Sequence, residues 1–368
     1  MKALMLPLFP SALLIFILLF HQVSYASNNI NIPAFPEVPS APDVVSGGAI
    51  YFINKDIGSD SFTIEKAKNR STPWKTIQRG ASTLRAGDTL IVSKSKTPYE
   101  ERVKIDVAGK KDNWVTIKGA DGEPPVINGF ILEKRTKFIK LSNFHIVPDD
   151  VGIYLKRGVK HFVIENTEID GKGKARWGLQ LGRDVIDNNG VKWGYIRNLT
   201  VHHTVGYGVY IENGVENIVF DSVVSRNSLK NDGFAGRANP SESSSPNKNI
   251  FFINSMAYNN AGDGFDIGAD GTQVFEGCIS HSNGGYQGTG FKIWGGVKNG
   301  GNIWLINNLA YNNAHSALAI KNISDANIYL LHNTFVENET SGGGVEIMTV
   351  RYNTGSGGFP MGIPSLYI

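Results

Sequence analysis

Between Asn143 and Glu346 the chain repeats one sequence pattern eight times. Each copy holds an apolar pair, a small polar residue, a turn rich in asparagine, and a glycine followed by apolar, variable and apolar residues. A period in the twenties of residues, lengthened in some copies by an inserted loop, is typical of a stack of similar coils. The small polar residue marks each copy, and we expect these markers to be stacked in line: Asn143, Asn166, Asn198, Ser222, Ser255, Cys278, Asn308 and Asn333.

The residues after each glycine alternate between apolar and variable types, which indicates a strand with one buried side. Helical spacing is absent from this part of the sequence, and glycine and asparagine are too frequent for helices. Short strands at the period of a coil, with asparagine and glycine at the corners, predict an all-β fold. The fold class expected over residues 50–350 is a right-handed parallel β-helix.

The open end of such a solenoid exposes apolar core and unpaired strand edges, so it needs a cover. The sequence predicts a short N-terminal capping helix there, with Thr72 as its N-cap and Pro73 at its first position. Its apolar stripe would lie on the first coil and is formed by Trp74, Ile77, Ala81 and Leu84. No equivalent cap is recognisable at the other end, where residues 351–368 form a glycine-rich tail, as expected of a sequence that stops short of its natural end.

Residues 1–26 combine a basic start, an apolar run and a small-residue motif ending at Ala26. This pattern predicts a secretory signal peptide and a secreted protein that has no membrane association after its removal. A retained membrane anchor is the alternative, because the apolar run is nearly long enough to span a bilayer. Residues 27–49 are rich in proline and are expected to form a stiff lead-in without regular structure.

Composition excludes some classes of partner. The formal net charge is +3, and loss of Lys2 with the signal would leave +2, which is too weak for bulk attraction to nucleic acid. The single cysteine, Cys278, excludes an internal disulfide. We therefore expect one solenoid domain that acts as a monomer.

The aligned copies place acidic residues in neighbouring coils. If the apolar residues after each glycine point inward, the residue between them points outward, which puts Asp266 beside Lys292. The position before the glycine puts Asp232 beside Asp263. Adjacent coils lie about 4.8 Å apart, and stacked carboxylates repel each other unless a cation or a proton lies between them. A calcium ion, which tolerates irregular oxygen sites, would satisfy this cluster. The alternative is a solvated face with scattered charges.

Three segments of these coils, Asn231–Phe234, Gly262–Asp266 and Gly288–Gly296, resemble the core motifs of polysaccharide lyase family 9, secreted pectate lyases. The resemblance extends over most of residues 50–350. It implies calcium-dependent β-elimination of polygalacturonate, an acidic polysaccharide, with Ca²⁺ bound by aspartates and a lysine as catalytic base. Carried over by position, the metal ligands would be Asp232, Asp263 and Asp266, and the base Lys292. The family has two adjacent aspartates where this chain has Gly262–Asp263, and that loss is expected to weaken calcium binding.

Elimination begins with removal of the weakly acidic C5 proton of a uronate. A lysine can accept that proton only as the free amine, so its pKa has to fall from its ordinary value near 10.4. Arg237 and Trp294 occupy the next outward position of the same coils and are candidate substrate-binding residues, by pairing with a carboxylate and by stacking on a sugar. A structural ion pair and a surface aromatic are the alternatives for these two residues.

The histidines of the repeats show no metal-ligand spacing, and we interpret them as exposed or stacking residues: His202, His203, His281 and His315. Tyr258 and Tyr311 are interpreted in the same way, as stacking side chains. Two other functions stay open. Aspartate pairs on a β-helix can also serve a glycoside hydrolase, and the fold alone is sufficient for a polysaccharide-binding protein without catalytic activity.

Overall fold

The computed structural model describes residues 33–36, 41, 47–122, 124–182, 189–236, 247–285, 288–295, 302–321, 327–336, 338, 345–348 and 365–367. The predicted signal peptide, most of the lead-in and Arg237 lie outside these residues. Within the described residues, no helix is long and apolar enough to cross a membrane.

The structure is a right-handed parallel β-helix, as predicted. In chain order its strands are β1 (Ile50–Ile53), β2 (Thr89–Val92), β3 (Tyr99–Ile105), β4 (Val115–Gly119), β5 (Val126–Leu132), β6 (Lys137–Ser142), β7 (His145–Ile146), β8 (Val151–Leu155), β9 (Lys160–Asp170), β10 (Trp177–Leu181), β11 (Lys192–His202), β12 (Val209–Ile211), β13 (Glu216–Asp221), β14 (Val224–Arg226), β15 (Phe234–Gly236), β16 (Lys248–Ile253), β17 (Met256–Tyr258), β18 (Phe265–Glu276), β19 (Ile279–His281), β20 (Phe291–Gly295), β21 (Asn302–Ile306), β22 (Leu309–Tyr311), β23 (Leu318–Lys321), β24 (Asn327–Leu331), β25 (Thr334–Val336), β26 (Val345–Met348) and β27 (Ser365–Tyr367).

The strands stack in parallel on three faces. The first face runs β1–β2–β4–β6–β9–β11–β13–β16–β18–β21–β24–β27. The second face runs β5–β7–β9, then β11–β14–β17–β19–β22–β25. The third face runs β3–β5–β8–β10–β12–β15–β18–β20–β23–β26. The longest strands, β9, β11 and β18, turn a corner and contribute to two faces.

Apolar side chains fill the interior in columns, as the alternation predicts. On the first face the rings of Phe220, Phe252 and Phe275 stack with centroids 4.9 and 5.1 Å apart. On the third face Phe234, Phe265 and Phe291 stack at 4.6 and 5.0 Å, and the two columns meet edge to face. Burying each ring contributes about 1.5–3 kcal/mol. These columns keep the coils in register underneath the third face.

The prediction that all eight markers are stacked in line was wrong, because the last four markers lie one position further along the coil than the first four. Asn143, Asn166, Asn198 and Ser222 share a corner column in which the backbone is left-handed, with φ of 63°, 49°, 48° and 56°. Because Asp221 pairs with Ile253, the residue opposite Ser222 is Asn254. The later markers lie one position further on, inside the turn: Ser255, Cys278, Asn308 and Asn333.

Two physical demands explain this shift. The corner position needs positive φ, which asparagine tolerates better than most residues. The next position is buried, and a polar side chain there accepts a backbone N–H from the coil before it. Asn308 accepts from Cys278 N (2.8 Å) and Asn333 from Asn308 N (3.0 Å). The sequence pattern is similar at both positions, so it did not separate them.

Two short helices, α1 (Ile64–Ala67) and α2 (Ile77–Ala81), precede the second coil. The predicted apolar stripe is buried, and Gly80 of α2 packs directly on Leu90 and Ile53, so α2 is the expected cap. Its start was predicted four residues too early, because the N-cap is Thr76, which accepts from Arg79 N. Trp74 instead pairs with the edge of β1: it donates to Phe52 O at 3.0 Å.

Part of the predicted lead-in contacts the solenoid. The ring of Phe35 lies edge-on to Phe251 of the first face, with centroids 5.9 Å apart. The carbonyl of Ala41 accepts from Lys140 Nζ at 3.1 Å. Phe35 and Ala41 therefore contact the first face, and the described residues of this segment before β1 lack regular structure.

Candidate active site

The third face brings the predicted acidic residues and lysine together. β15, β18 and β20 are consecutive in the stack, and Ala235, Asp266 and Lys292 are direct partners in register. In the loops that lead into β15 and β18, Gly233 N donates to Asp263 O (3.0 Å). Both predicted neighbours are confirmed: Asp232 lies beside Asp263, and Asp266 lies beside Lys292.

The turn before these strands is held by a ladder of asparagines. Asn260 Oδ1 accepts from Ser228 N (3.1 Å), Asn283 Oδ1 from Asn260 N (3.2 Å) and Asn313 Oδ1 from Asn283 N (3.3 Å). The glycine that follows has no room for a side chain, since a Cβ at Gly264 would lie 2.0 Å from Ser280 Oγ. The repeat itself therefore fixes the direction in which the residue before the glycine projects.

Lys292 lies between two carboxylates. Its Nζ is 3.0 Å from Asp263 Oδ2 and 3.0 Å from Asp266 Oδ2. The Lys292 side chain is 10% exposed, and Asp263 is completely buried. Trp294 Nε1 donates to Asp266 Oδ1, and Lys292 Nζ lies 5.1 Å from the centroid of the Trp294 ring. The lysine is thus enclosed by two carboxylates and an aromatic ring.

The aspartates are also tied to the backbone of the next coil. Asp232 Oδ1 accepts from Asp263 N at 2.7 Å, and Asp263 Oδ1 accepts from Thr289 N at 2.7 Å. Each carboxylate therefore has one oxygen anchored, which limits its rotation. This anchoring gives the cluster a defined geometry before any ligand arrives.

Burial and mutual repulsion change the protonation of the cluster. Burial, reinforced by the charges of Asp263 and Asp266, raises the pKa of Asp232 to about 8. Burial also raises the pKa of Asp266. For Lys292, burial lowers the pKa, but the negative charges of Asp266 and Asp263 outweigh it and raise the pKa. Burial therefore acts in the direction that a general base needs, and a net fall of the lysine pKa would require a further positive charge among the carboxylates.

The donor set fits a hard divalent cation. The carboxylates of Asp263 and Asp266 contact one ammonium group, Asp232 lies beside them, and the raised pKa of Asp232 means that its ionised form is not fully compensated. Oxygen ligands of this kind suit calcium. If calcium binds, the residues that would hold it are Asp232, Asp263 and Asp266.

The departure at Gly262 has a steric reason. A Cβ on Gly262 would lie 2.2 Å from Asp232 Oδ1 and 2.9 Å from the carbonyl carbon of Asn231. A second aspartate beside Asp263 would therefore displace Asp232. Asp270, the next aspartate along the chain, is buried at the corner where β18 leaves the third face, in register with Lys248.

A group of aromatic residues next to the acidic cluster was not singled out from the sequence. Tyr207 precedes Asp232 in its column, and Tyr210 lies two coils before Asp266. The Tyr207 and Tyr210 rings stack at 4.7 Å, and Trp177 lies 4.8 Å from Tyr210. We call Trp177, Tyr207 and Tyr210 the aromatic platform. The signal was present, since these residues occupy the same two outward columns as the acids.

The other aromatic predictions have mixed outcomes. His281 stacks between Tyr258 (4.9 Å) and Tyr311 (4.7 Å), as interpreted from the sequence. His202, in contrast, is buried, and its interpretation as an exposed or stacking residue was wrong. His202 lies against His203 and Asp170. One ligand-type atom from each of these three residues, a ring nitrogen or a carboxylate oxygen, lies within 4.8 Å of the other two.

Comparison with known proteins defines the class. The family model described as "Pel9A-like, right handed beta helix region" matches residues 59–353, so the chain belongs to this Pel9A-like β-helix family. No curated protein sequence matches the chain.

Similar solved structures share the fold at low identity. The crystal structure of pectate lyase Pel9A is 15% identical, with 88% of this chain and 85% of that chain covered and a TM-score of 0.49. The alginate lyase from Paenibacillus sp. str. FPU-7 is 15% identical, with 75% and 96% covered and a TM-score of 0.50. The complex of XylC with xylose is 11% identical, with 80% and 76% covered and a TM-score of 0.50. At these identities the likeness concerns the fold alone.

Proposed function

We propose that this protein is a secreted, calcium-dependent pectate lyase that cleaves 4-linked polygalacturonate by β-elimination. The observation that carries the proposal is the position of Lys292 Nζ, 3.0 Å from both Asp263 and Asp266 on an outward face of the β-helix. The proposed reaction requires a base that removes a proton from a uronate. It also requires carboxylates that would hold a cation beside that base. Membership of the Pel9A-like family supports the same reading.

In this mechanism Lys292 accepts the C5 proton of the uronate, the electron pair of the C5–H bond forms the double bond between C4 and C5, and the C4–O4 bond breaks. The departing O4 takes a proton from water. The chemistry that calcium supplies when bound is neutralisation of the substrate carboxylate, which makes the C5 proton more acidic. Asp263 and Asp266 orient the lysine through their contacts with Nζ. Those carboxylates raise the pKa of Lys292, and a cation bound among them would lower that pKa and favour the free amine.

Substrate binding would extend from the lysine along the axis of the β-helix. Trp294 lies over Lys292 and offers an aromatic ring to the sugar at the reacting position. The aromatic platform lies in the same columns on the N-terminal side, where its half-buried members Trp177 and Tyr207 would stack on neighbouring sugars and the buried Tyr210 supports them. Arg237 is proposed to pair with a uronate carboxylate.

The test is incubation of the protein with polygalacturonate in calcium and in excess chelator. We expect an unsaturated product, seen as increasing ultraviolet absorbance, only with calcium. Lys292→Ala should remove this signal, and Lys160→Ala, a lysine substitution on the first face, should leave it unchanged. Equal activity in chelator and in calcium would overturn the metal dependence.

A glycoside hydrolase is the second candidate, and one observation favours it. With a pKa of about 8, Asp232 would carry a proton at neutral pH, as a general acid of such enzymes does. Hydrolysis would release new reducing ends without ultraviolet absorbance, so the same incubation separates the two reactions. Binding of the polysaccharide without any product would indicate the third alternative, a non-catalytic binding protein.

A further inference from the structure

A second cluster of ligand-type side chains lies at the corner between the second and third faces, in the two coils that precede the coil of Asp232. Asp170 ends β9 and His202 ends β11, and the two residues are direct partners in register. His203 follows with a left-handed backbone, φ 53°. His202 Nδ1 lies 3.4 Å from Asp170 Oδ1, and His203 Nδ1 lies 3.9 Å from the same oxygen.

A hydrogen bond with Glu168 fixes the orientation of the His202 ring. Its Nε2 lies 2.9 Å from Glu168 Oε1, and its side chain is only 7% exposed. A carboxylate at Nε2 keeps the proton on that nitrogen, so the lone pair of Nδ1 points toward His203 and Asp170. A carboxylate behind a histidine is the usual support of a metal-binding imidazole.

The two imidazole rings converge instead of stacking. They lie at 86° to each other, and their Nδ1 atoms are 2.7 Å apart. A single N–H···N hydrogen bond would account for that distance. It would not account for the approach of Asp170 to both nitrogens, which brings three ligand atoms within 4.8 Å of one another.

We propose that Asp170, His202 and His203 bind one divalent transition-metal ion of the zinc type. Two imidazole nitrogens and one carboxylate oxygen favour such an ion over calcium or magnesium, which prefer all-oxygen sites. With metal–nitrogen bonds of about 2.0–2.1 Å in a tetrahedron, the two Nδ1 atoms would have to separate to roughly 3.3 Å. His203, whose side chain is 47% exposed, can make that adjustment.

The ion would link two coils. Asp170 belongs to one coil and the histidines to the next, and the turns that follow lead directly to the aromatic platform. Gly171 N donates to His202 O (2.8 Å) and Val205 N donates to Ala175 O (2.7 Å), so these turns are already paired through their backbones. The metal would stabilise this corner and, through it, the platform.

Lys172 competes with the metal for Asp170. Its Nζ lies 2.5 Å from Asp170 Oδ2, and its backbone N–H donates to Asp170 Oδ1 at 3.0 Å. The Lys172 side chain is 58% exposed and can move away, but its charge opposes a cation. Lys172→Gln should therefore bind the metal more tightly than the native chain.

The test is calorimetric titration of the full-length, chelator-treated protein with Zn²⁺ in saturating Ca²⁺, which keeps the acidic cluster occupied by the other ion. We expect about one equivalent of Zn²⁺, a rise in the unfolding temperature, and at least about a tenfold loss of affinity in His203→Asn. Asparagine tolerates positive φ, so this variant keeps the backbone of the corner. His281→Asn is the matched control and should bind like the native chain.

Cobalt provides a second measurement. Co²⁺ in this site should give the visible absorption of a tetrahedral complex, and that absorption should be lost in His203→Asn. The proposal is overturned if native protein and His203→Asn bind Zn²⁺ equally, or if no Zn²⁺ binds at all. Neither outcome concerns lyase activity, which is measured separately.

Discussion

Two buried charge clusters on different faces of this β-helix are built in opposite ways. On the first face one carboxylate is shared by two cations: Glu165 Oε1 lies 2.7 Å from Lys140 Nζ, and its Oε2 lies 2.6 Å from Arg197 Nε. On the third face one cation, Lys292, is shared by Asp263 and Asp266, with Asp232 alongside. The first cluster has its negative charge fully compensated, whereas the second has more carboxylates than cations.

The difference separates a structural ion pair from a binding site. A buried carboxylate with two partners needs nothing further, and its contribution is to the stability of the stack. A cluster with surplus carboxylates is destabilised by their repulsion, and this cost is reduced by any cation that enters. Under the proposed function, catalysis takes place on the third face, and the ion pairs of the first face stabilise the stack.

The largest expected effect follows from removing the lysine of the third face. Lys292→Ala should lower kcat by at least about 10²-fold, the usual loss for an acid–base group, while calcium and substrate binding largely persist. Lys292→Arg should be nearly as damaging, because a guanidinium group stays protonated. Steady-state rates with polygalacturonate measure this, and a residual rate above roughly a tenth of native would mean that another group is the base.

Removing a lysine from the first face should lower the stability of the protein and leave kcat unchanged. Lys140→Ala removes one hydrogen-bonding partner of the buried Glu165 but leaves Arg197, so we expect a loss of roughly 1–3 kcal/mol in the free energy of unfolding. Its kcat should equal that of the native protein. Urea unfolding and the lyase assay on one preparation give both numbers, and a large loss of kcat in a folded variant would contradict the division of roles.

The pH dependence of stability should also differ between the clusters. The pKa of Asp232 in the folded protein, about 8, is above the ordinary aspartate value of 3.8, so the folded state keeps a proton that the unfolded state releases. Stability without calcium should therefore fall as pH rises from about 4 to about 8, by roughly 2–5 kcal/mol. Asp232→Asn, which retains an acceptor for Asp263 N, should remove most of this slope. Denaturant unfolding in chelator at several pH values tests it, and an unchanged slope would show that another group is responsible.

The smallest effect is expected at the aromatic platform. Trp177→Ala should raise KM by about 2- to 10-fold with little change in kcat, as expected from the loss of one stacking contact. Trp193→Ala is the matched control, because Trp193 is a 42% exposed tryptophan that stacks on His161 of the first face. Similar kinetics in both variants would remove the platform from the substrate-binding surface.

The sequence predicted the fold and the neighbours in the site because strand alternation and coil length are local, periodic signals. Asp266 and Lys292 could be paired from alignment of the copies alone. The one-residue shift between Ser222 and Ser255 was missed because asparagine and serine serve two different positions of the same corner. The cap was placed early because backbone pairing of Trp74 with Phe52 overrides the helix-start signal at Thr72.

Other features depend on distances that a single sequence does not contain. The raised pKa of Lys292 results from two carboxylates at 3.0 Å and from their burial, and residue spacing gives neither. The cluster of Asp170, His202 and His203 joins residues 32 positions apart through the stacking of two coils. Gly262 could be recognised as a departure from the family pattern, but the contact with Asp232 that excludes a side chain there appears only in three dimensions.

The central claim, that the third face has a deficit of positive charge which calcium fills, is tested most directly by calcium titration of the Lys292→Ala protein. Calorimetry with and without oligogalacturonate should detect about one Ca²⁺ per chain, bound more firmly when the substrate carboxylate is present. Adding Asp263→Asn to this variant should weaken binding at least about tenfold, a loss typical of a removed ligand. Equal calcium affinity with and without the Asp263 carboxylate would contradict the account.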